Sequence, residues 1–226
     1  MGGMTMGVVY VVRTLVRPDH DLEWRRWQEE EHVRQLLELP GYLGVQRFAE
    51  IGRSHSYLNI WRLSHREAHG TPEYRIASLT PWFDRIRPFY DVEVDFSNET
   101  EPTEALGVAP WRNTVSGLMV DRAEPDGNIA AAQLALGEPY RQSLAAGPGV
   151  IRVMRLARLS ANPAPELRSA ASDVLLTYLN TPPTKEDAPP EPPSGVERRR
   201  YTAIGPYLPA PTSKPTLHSH TTPQAT

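Results

Sequence analysis

A twelve-residue pattern that occurs twice constrains the fold of this chain more than any other sequence feature. The first copy, residues 40–51, reads PGYLGVQRFAEI, and the second, residues 148–159, reads PGVIRVMRLARL. Pro, Gly, Val, Arg and Ala align without a gap, at an offset of 108 residues from Pro40 to Pro148. That offset is too long for one unit of a solenoid and is typical of a duplicated small domain.

Length and composition limit the classes of protein to consider. The 226 residues suffice for one large or two small domains with a sizeable core. A net charge of −3 gives no electrostatic reason to expect nucleic acid or an anionic membrane as a partner. The absence of cysteine excludes disulfides, thiolate nucleophiles and Cys-ligated metals. Because no apolar run approaches the roughly 20 residues of a spanning helix, we expect a soluble, cytoplasmic protein.

The first half of the chain has the hydrophobic pattern of four strands and two helices. The order strand, helix, strand, strand, helix, strand is the split βαβ arrangement of ferredoxin-like domains. Strands are predicted at residues 7–16, 42–51, 57–63 and 90–96, and helices at residues 21–39 and from residue 71 onward.

The second half repeats this order in a degenerate form. Strands are predicted at residues 114–120, 150–159, 173–180 and 196–204, with a helical stretch at 127–146. The second helix is replaced by a proline-rich acidic segment, which cannot be helical. We therefore divide the chain into a first unit with the site (7–98), a linker (99–112), a degenerate second unit (113–208) and a disordered tail (209–226).

These features resemble the dimeric α/β-barrel superfamily. The resemblance rests on the βαββαβ order, the acidic-His pair Glu31-His32, the Pro40-Gly41 turn and the Tyr-Leu-x-x-Trp strand at residues 57–61. The superfamily includes EthD-like proteins, muconolactone isomerase and small antibiotic-biosynthesis monooxygenases.

The resemblance covers residues 7–97 well and residues 113–205 loosely. It implies an α+β fold in which two ferredoxin-like units of one chain pair their antiparallel sheets into an α/β barrel, as a pseudo-dimer. A homodimer of the whole chain is a further expectation. The superfamily hosts isomerases, dehydratases and oxygenases, so the resemblance predicts a fold rather than a reaction.

His32 is the leading candidate for catalysis, because imidazole suits proton transfer near neutral pH. Trp24 and Trp27 point almost opposite to a later apolar set on the same helix, so we predict a helix break near residues 29–31. His32 then begins a short second helix beside the sheet. The helix N-terminus disfavours its imidazolium form and Glu31 favours it. A histidine that only hydrogen-bonds backbone at this junction is the alternative.

A polar and aromatic row follows the third strand. Tyr57, Asn59 and Trp61 alternate, so they share one face of that strand. We expect this row to point into the barrel, with Leu58 and Ile60 against the helices. Trp61 would then stack on an aromatic ligand, while Asn59 and Tyr57, which we assign to catalysis with His32, would hydrogen-bond it. An amphipathic contact between paired sheets is the alternative.

Further substrate-binding residues are predicted around this row. Arg13 and Arg47 could hold an anionic oxygen or enolate, and Tyr74 and Arg75 open the second helix, where they could cover a pocket. Solvated or ion-paired arginines are the alternative. The position 108 residues after His32 is Tyr140, so only the first unit is expected to carry the site.

The chain lacks the common cofactor and metal signatures. There is no Gly-x-Gly-x-x-Gly, Walker, His-Glu-x-x-His or Gly-x-Ser-x-Gly motif, and His65 with His69 makes no convincing metal set. We therefore predict a cofactor-independent enzyme without a metal, which acts on a small aromatic molecule by acid–base chemistry as a lyase, dehydratase or isomerase. The alternatives are a cofactor-free monooxygenase on a phenolic or polycyclic substrate, and a non-catalytic small-molecule binding or scaffold protein.

Overall fold

A computed structural model of the chain describes residues 8–77, 79–98, 106–107, 115–123, 136–158, 168–169, 174–183 and 190–211. The described strands are β1 (Val8–Val16), β2 (Tyr42–Glu50), β3 (Ser56–Leu63), β4 (Tyr90–Asn98), β5 (Leu106–Gly107), β6 (Gly117–Ala123), β7 (Val150–Arg158), β8 (Arg168–Ser169), β9 (Val174–Leu179), β10 (Val196–Ala203) and β11 (Leu208–Pro209). The described α-helices are α1 (Asp21–Trp27), α2 (Val33–Glu38), α3 (Pro72–Ala77), α4 (Pro81–Ile86) and α5 (Glu138–Ala145). None of these helices has the length and apolarity needed to cross a membrane.

Eight of the strands close into a barrel. They are hydrogen-bonded in the order β4-β1-β3-β2-β10-β6-β9-β7, and β7 pairs with β4 to complete the ring. Every neighbouring pair in this ring is antiparallel. Closure leaves none of the eight strands with a free edge. The predicted α+β class with a large antiparallel sheet is confirmed.

The two Pro-Gly turns have matching backbone geometry. Gly41 and Gly149 have φ angles of 86° and 70°, which favour glycine because a Cβ atom is strained there. Two residues after each glycine, the strand pairing shifts register, at the start of β2 and at the start of β7. In each half the four barrel strands also lie in the same spatial order, which is second, third, first, fourth along the chain.

The apolar core has one part inside the barrel and other parts outside it. The inner part joins both halves and includes Val9, Val11, Leu58, Ile60, Leu118, Val120, Met154 and Tyr178. Outside the first-half strands, side chains from α1, α2 and α4 pack on the sheet, among them Trp24, Trp27, Leu36 and Ile86. Outside the second half, Leu144 of α5 packs on Val153 and Leu175.

The predicted orientation of the β3 row was wrong. Tyr57 and Trp61 pack with the helices outside the barrel, and Leu58 and Ile60 point inside it. Alternation assigned the residues to two faces correctly, but both faces of β3 are buried, so the pattern could not tell which face looks inward.

The predicted helix break near residues 29–31 was also wrong. The helix runs without a break from α1 through a π-helical turn, Gln28–His32, into α2. The N–H of Val33 bonds to the carbonyl of Gln28, five residues earlier. The wider turn rotates the later side chains relative to the earlier ones, so Trp24 and Leu36 are both buried by one continuous helix.

Several predicted boundaries lie partly outside the described residues. Helix α5 begins at Glu138, and residues 127–135 of the predicted helical stretch are not described. Of the predicted linker, residues 106–107 form β5, which pairs with β7. Of the predicted tail, Pro209 pairs with Gly44, and the Ala210 N–H donates to the Leu43 carbonyl at 3.0 Å. The paired chain therefore continues past the predicted boundary at residue 208.

Candidate functional site

A cavity of about 110 Å³ lies between the helices and the outer face of β1 and β3. Six of its fourteen lining residues are aromatic, five are polar and three are aliphatic. The aromatic lining consists of Tyr10, Trp27, Trp61, Tyr74, Phe83 and Tyr90, the polar lining of Thr14, Gln28, His32, Asn59 and Arg87, and the aliphatic lining of Val12, Leu36 and Val92. An aromatic and apolar wall with several polar groups is typical of small-molecule sites.

His32 occupies the last position of the π-helical turn and faces this cavity. Its imidazole stacks on Trp27 with ring centroids 4.3 Å apart, and its ring meets Trp61 edge-on at 6.5 Å. Burial among these rings, with a smaller effect of the nearby His69, lowers the pKa of His32 to about 3. His32 is therefore neutral at physiological pH.

Glu31, which the sequence suggested as a partner for the imidazolium form, is engaged elsewhere. Its carboxylate accepts hydrogen bonds from the Trp27 indole N–H, at 3.2 Å, and from the Thr80 hydroxyl. Thr80 in turn accepts from the N–H of Phe83 and caps α4. Glu31 thus ties the first helix to α4, and within the described residues the His32 imidazole has no hydrogen-bond partner.

Asn59 and Gln28 supply hydrogen-bonding groups beside His32. The Asn59 amide N–H donates to the Gln28 side-chain oxygen at 3.1 Å, and both side chains are buried. The bond fixes the orientation of both amides, because the Asn59 nitrogen and the Gln28 oxygen must face each other. Both residues line the cavity, so a ligand there meets amide groups in a set orientation.

A second buried histidine, His69, lies at the end of the cavity near Tyr74. Its Nδ1 hydrogen-bonds the Tyr42 hydroxyl at 3.0 Å, and its ring lies 4.5 Å from that of Tyr10 and 4.1 Å from that of Tyr74. Burial lowers the pKa of His69 to about 4 and raises the pKa of Tyr42. No periodic pattern marks His69, which follows a short 3₁₀ turn in a loop.

Four of the eight predicted site residues line the cavity together: His32, Asn59, Trp61 and Tyr74. The other four do not. Tyr57 stacks on Trp24 at 4.6 Å, and its hydroxyl donates to Asp21 at 2.6 Å. Arg47 pairs with Glu29 at 3.4 Å.

Arg13 and Arg75 also lie away from the cavity. Arg13 points into the barrel, where it pairs with Glu93 at 3.2 Å. Arg75 is exposed on α3. The alternative of ion-paired arginines therefore describes both Arg13 and Arg47. Among the described residues, no group of three His, Asp or Glu side chains is arranged to hold a metal ion.

Sequence reasoning missed Arg87, which supplies a positive charge to the cavity wall. Its guanidinium lies 5.2 Å from the centroid of the Tyr90 ring and donates to the Tyr90 carbonyl at 3.0 Å. An arginine at the end of a helix is common, so nothing in the sequence distinguishes it. In combination with neutral His32, it gives the cavity a proton acceptor and a cation that can face a developing anion.

The chain is similar to solved structures of the dimeric α/β-barrel kind. An anthrone oxidase-like protein is 14% identical, with a TM-score of 0.58 over 96% of this chain and 98% of its own. A proposed monooxygenase from Fusobacterium nucleatum subsp. nucleatum is 7% identical, with a TM-score of 0.52 over 91% and 95%. Chlorite dismutase from Candidatus Nitrospira defluvii is 10% identical, with a TM-score of 0.50 over 88% and 92%.

These likenesses confirm the α+β fold with a large antiparallel sheet. At such low identity they are informative about the fold alone. No family model and no curated protein sequence matches the chain.

Proposed function

We propose that this protein is a cofactor-independent enzyme that removes a proton from a small aromatic compound, with His32 as the proton acceptor. The observation that carries the proposal is a neutral imidazole on the wall of an aromatic cavity. Asn59, Trp61 and Tyr74 bind the substrate, and Arg87 faces the anion that forms. Tyr57 is held by Asp21 and supports α1 rather than the substrate.

A bound substrate changes the electrostatic surroundings of the His32 imidazole. Imidazolium alone is disfavoured there by desolvation, which is the larger cause of the shift. When proton transfer produces a phenolate or enolate beside it, the two opposite charges stabilise each other in a site of low dielectric. The basicity of His32 therefore rises when a substrate that can become an anion is bound. An apolar molecule without an acidic proton forms no anion and does not raise the basicity of His32.

The size of the cavity limits the substrate. An engineered cavity of about 150 Å³ accommodates benzene, so a cavity of about 110 Å³ admits a compound of roughly one ring or less. Stacking on Trp61 or Tyr74 suits a flat ring. A polycyclic substrate requires the wall that carries Tyr74 to move outward. The exposed side chain of Ile76 shows that the outer surface of α3 is not packed against described residues.

The anion has two chemical fates that the same residues support. In an isomerase, dehydratase or other lyase, protonated His32 returns its proton to another atom of the substrate or to the leaving group. In a monooxygenase, an activated CH₂ group reacts with oxygen: one oxygen atom becomes a carbonyl, the other leaves as water, and the substrate supplies the electrons. The names of two similar structures, anthrone oxidase-like protein and monooxygenase, favour the second fate.

The test replaces His32 by alanine and by glutamine. We expect either change to lower turnover by about 10²–10⁴-fold, because neither side chain accepts a proton. Turnover of single-ring phenols and cyclic enols is followed by absorbance and by an oxygen electrode, which separates oxygenase from lyase or isomerase activity. His65→Gln, the same change at an exposed histidine, is the matched control and leaves turnover unchanged. Full activity in His32→Ala, or substrate binding without turnover in the wild type, contradicts the proposal.

We also propose that the barrel is a fused pseudo-dimer of units 7–98 and 113–208. The matching strand orders, the two positive-φ glycines and the two register shifts support it. In an experimental structure, the two units should superpose through an approximate two-fold axis with the Pro-Gly turns coincident. Light scattering tests the separate expectation that two whole chains form a homodimer.

A further inference from the structure

A second cavity, of about 40 Å³, lies at one mouth of the barrel on the opposite side of the sheet from His32. Its floor is apolar, with Val11, Leu58, Val120 and Val174. Its polar wall combines strands of both halves and consists of Arg13, Glu93, Arg122, Glu197, Arg199 and Tyr201. Because Arg13 points inward from β1 while its neighbour Thr14 lines the first cavity, the two cavities are separated by the sheet.

The carboxylates at this mouth only partly satisfy the arginines. Oε2 of Glu93 lies 3.2 Å from Nη1 of Arg13 and 3.6 Å from Nη1 of Arg122. The second distance is too long for a hydrogen bond. Glu197 accepts from Nε of Arg199 at 2.8 Å. With Glu50, which lies 3.7 Å from Arg199, three carboxylates face three guanidinium groups, so the charges balance while individual N–H donors stay without a hydrogen bond.

Several hydrogen-bond donors at this mouth have no acceptor within the described part of the chain. The Nε of Arg122 and the Nη1 of Arg199 are buried without one, and the nearest carboxylate to the latter, Glu50, is 3.7 Å away. Tyr201 is 1% exposed, and no hydrogen bond of its hydroxyl is found. Burial raises the pKa of Tyr201, so its hydroxyl stays protonated and is available as a donor. Buried donors without acceptors are costly unless a ligand or water supplies one.

We propose that this mouth of the barrel binds a small monovalent oxyanion, such as a short-chain carboxylate or nitrate, between Arg122, Arg199 and Tyr201. Guanidinium and phenol donors suit a planar oxyanion, which supplies acceptors to the donors that lack one. The volume equals about three water-sized sites of 10–15 Å³, which matches acetate or nitrate and excludes an aromatic acid. The donors come from β6 and β10, so the anion bridges two neighbouring strands of the second half.

Thermal unfolding of the full chain at constant ionic strength tests this site. Chloride is replaced stepwise by acetate, nitrate or benzoate. We expect the melting temperature to rise with the logarithm of the concentration of a small oxyanion above its Kd, by about 3–5 °C at ten times its Kd, and to stay unchanged with benzoate. A lower Kd for acetate identifies a carboxylate as the ligand, because the apolar floor contacts its methyl group; a lower Kd for nitrate identifies an inorganic anion.

Two variants locate the effect. Arg122→Gln and Tyr201→Phe should each raise the Kd fitted to the thermal shift at least tenfold, while Arg53→Gln, at an exposed turn, leaves that Kd unchanged. Tyr201→Phe differs by one hydroxyl, so it remains informative if Arg122→Gln does not fold. No thermal shift with acetate or nitrate in the wild type, the same shift in both variants, or an equal response to benzoate overturns the proposal. Because these readouts do not involve turnover, they are independent of the role of His32.

Discussion

The helix position that carries His32 in the first half of the molecule is occupied by Tyr140 in the second, and the two side chains have opposite environments. His32 is neutral, has no hydrogen-bond partner within the described residues and faces a cavity. The Tyr140 hydroxyl donates to Asp121 at 3.0 Å and accepts from the guanidinium of Arg198. On one side of the barrel the His32 imidazole faces a cavity, and on the other side the Tyr140 hydroxyl is hydrogen-bonded to charged side chains.

The contacts of Arg198 complete the enclosure on the second side. Its Nε and Nη2 donate to the two carboxylate oxygens of Asp121 at 2.6 and 2.9 Å, and Nη1 donates to the Pro190 carbonyl at 2.8 Å. The side chain of Asp121 is 0% exposed and that of Arg198 is 5% exposed. A bidentate pair of this kind offsets the desolvation of both charges only while both partners are present.

The comparison separates the part of this barrel that suits the proposed proton transfer from the part that stabilises the fold. A group that is to exchange a proton with a ligand has to be left without a permanent partner, as His32 is. A group that closes the structure needs all its partners, as Asp121 has. The two sides therefore respond differently to substitution: changes on the Tyr140 side lower stability, and changes on the His32 side lower the proposed activity.

The largest effect is expected from Arg198→Met. This change leaves the fully buried Asp121 carboxylate without its cation and should lower the free energy of unfolding by about 3–5 kcal/mol. Urea denaturation followed by far-UV circular dichroism measures it. Arg53→Met, at an exposed position, is the control and should change stability by less than about 0.5 kcal/mol.

A double variant separates the cost of a stranded charge from the value of the ion pair. Asp121→Leu combined with Arg198→Met replaces both charges by apolar groups and should recover most of the lost stability. If the double variant is as unstable as Arg198→Met alone, packing around Tyr140, rather than the unpaired carboxylate, accounts for the loss.

Sequence patterns predicted the strand order well and the environment of the site poorly, for physical reasons. The β-branched run of β1 and the Pro-Gly turn before β2 are local signals, and the structure has a strand and a turn there. Which face of β3 looks inward depends on barrel closure through the distant pairing of β4 with β7, which no local pattern encodes.

The same argument applies to individual site residues. His32 could be found because it lies between two apolar sets that would point to opposite sides of a regular α-helix. The π-helical turn that resolves this conflict was not predicted, since its cost is offset by tertiary packing of Trp24 and Leu36. Arg87 reaches the cavity from a helix end, and His69 contacts the cavity residue Tyr74 from a loop, so only the folded chain brings them near His32.

A second prediction uses pH to distinguish the two sides. The pKa of His32 is about 3 in the folded state and 6.5 in the unfolded chain, so between these values only the unfolded chain gains the proton. The contribution of His32 to the free energy of unfolding is complete above pH 6.5. It is lost as the pH falls, by about 1.4 kcal/mol per pH unit. Wild type should therefore lose about 2 kcal/mol more than His32→Gln between pH 6.5 and 5.

The measurement is urea denaturation at several pH values in that range. His69→Gln should remove a similar part of the stability loss between pH 6.5 and 5, since the pKa of His69 is about 4 in the folded state. His65→Gln, at an exposed histidine, should follow the wild type. Parallel curves for wild type and His32→Gln would show that folding does not lower the pKa of His32, which would contradict the desolvated environment on which the proposed reaction depends.

The smallest effect is expected at Tyr140, where two substitutions test whether position alone makes a catalytic histidine. Tyr140→Phe removes one hydroxyl bonded to charged groups and should cost about 1–2 kcal/mol in urea denaturation. Tyr140→His should place an imidazole beside Asp121, whose charge outweighs that of Arg198 in its effect on Tyr140.

Burial disfavours the imidazolium form there and the Asp121 carboxylate favours it, so an NMR titration should show the new histidine with a higher pKa than His32, which has no such carboxylate beside it. The variant should then have no more turnover than wild type, because its second histidine is already hydrogen-bonded to Asp121. An equal pKa for the two histidines, or turnover that doubles, would mean that the helix position rather than its surroundings determines the chemistry.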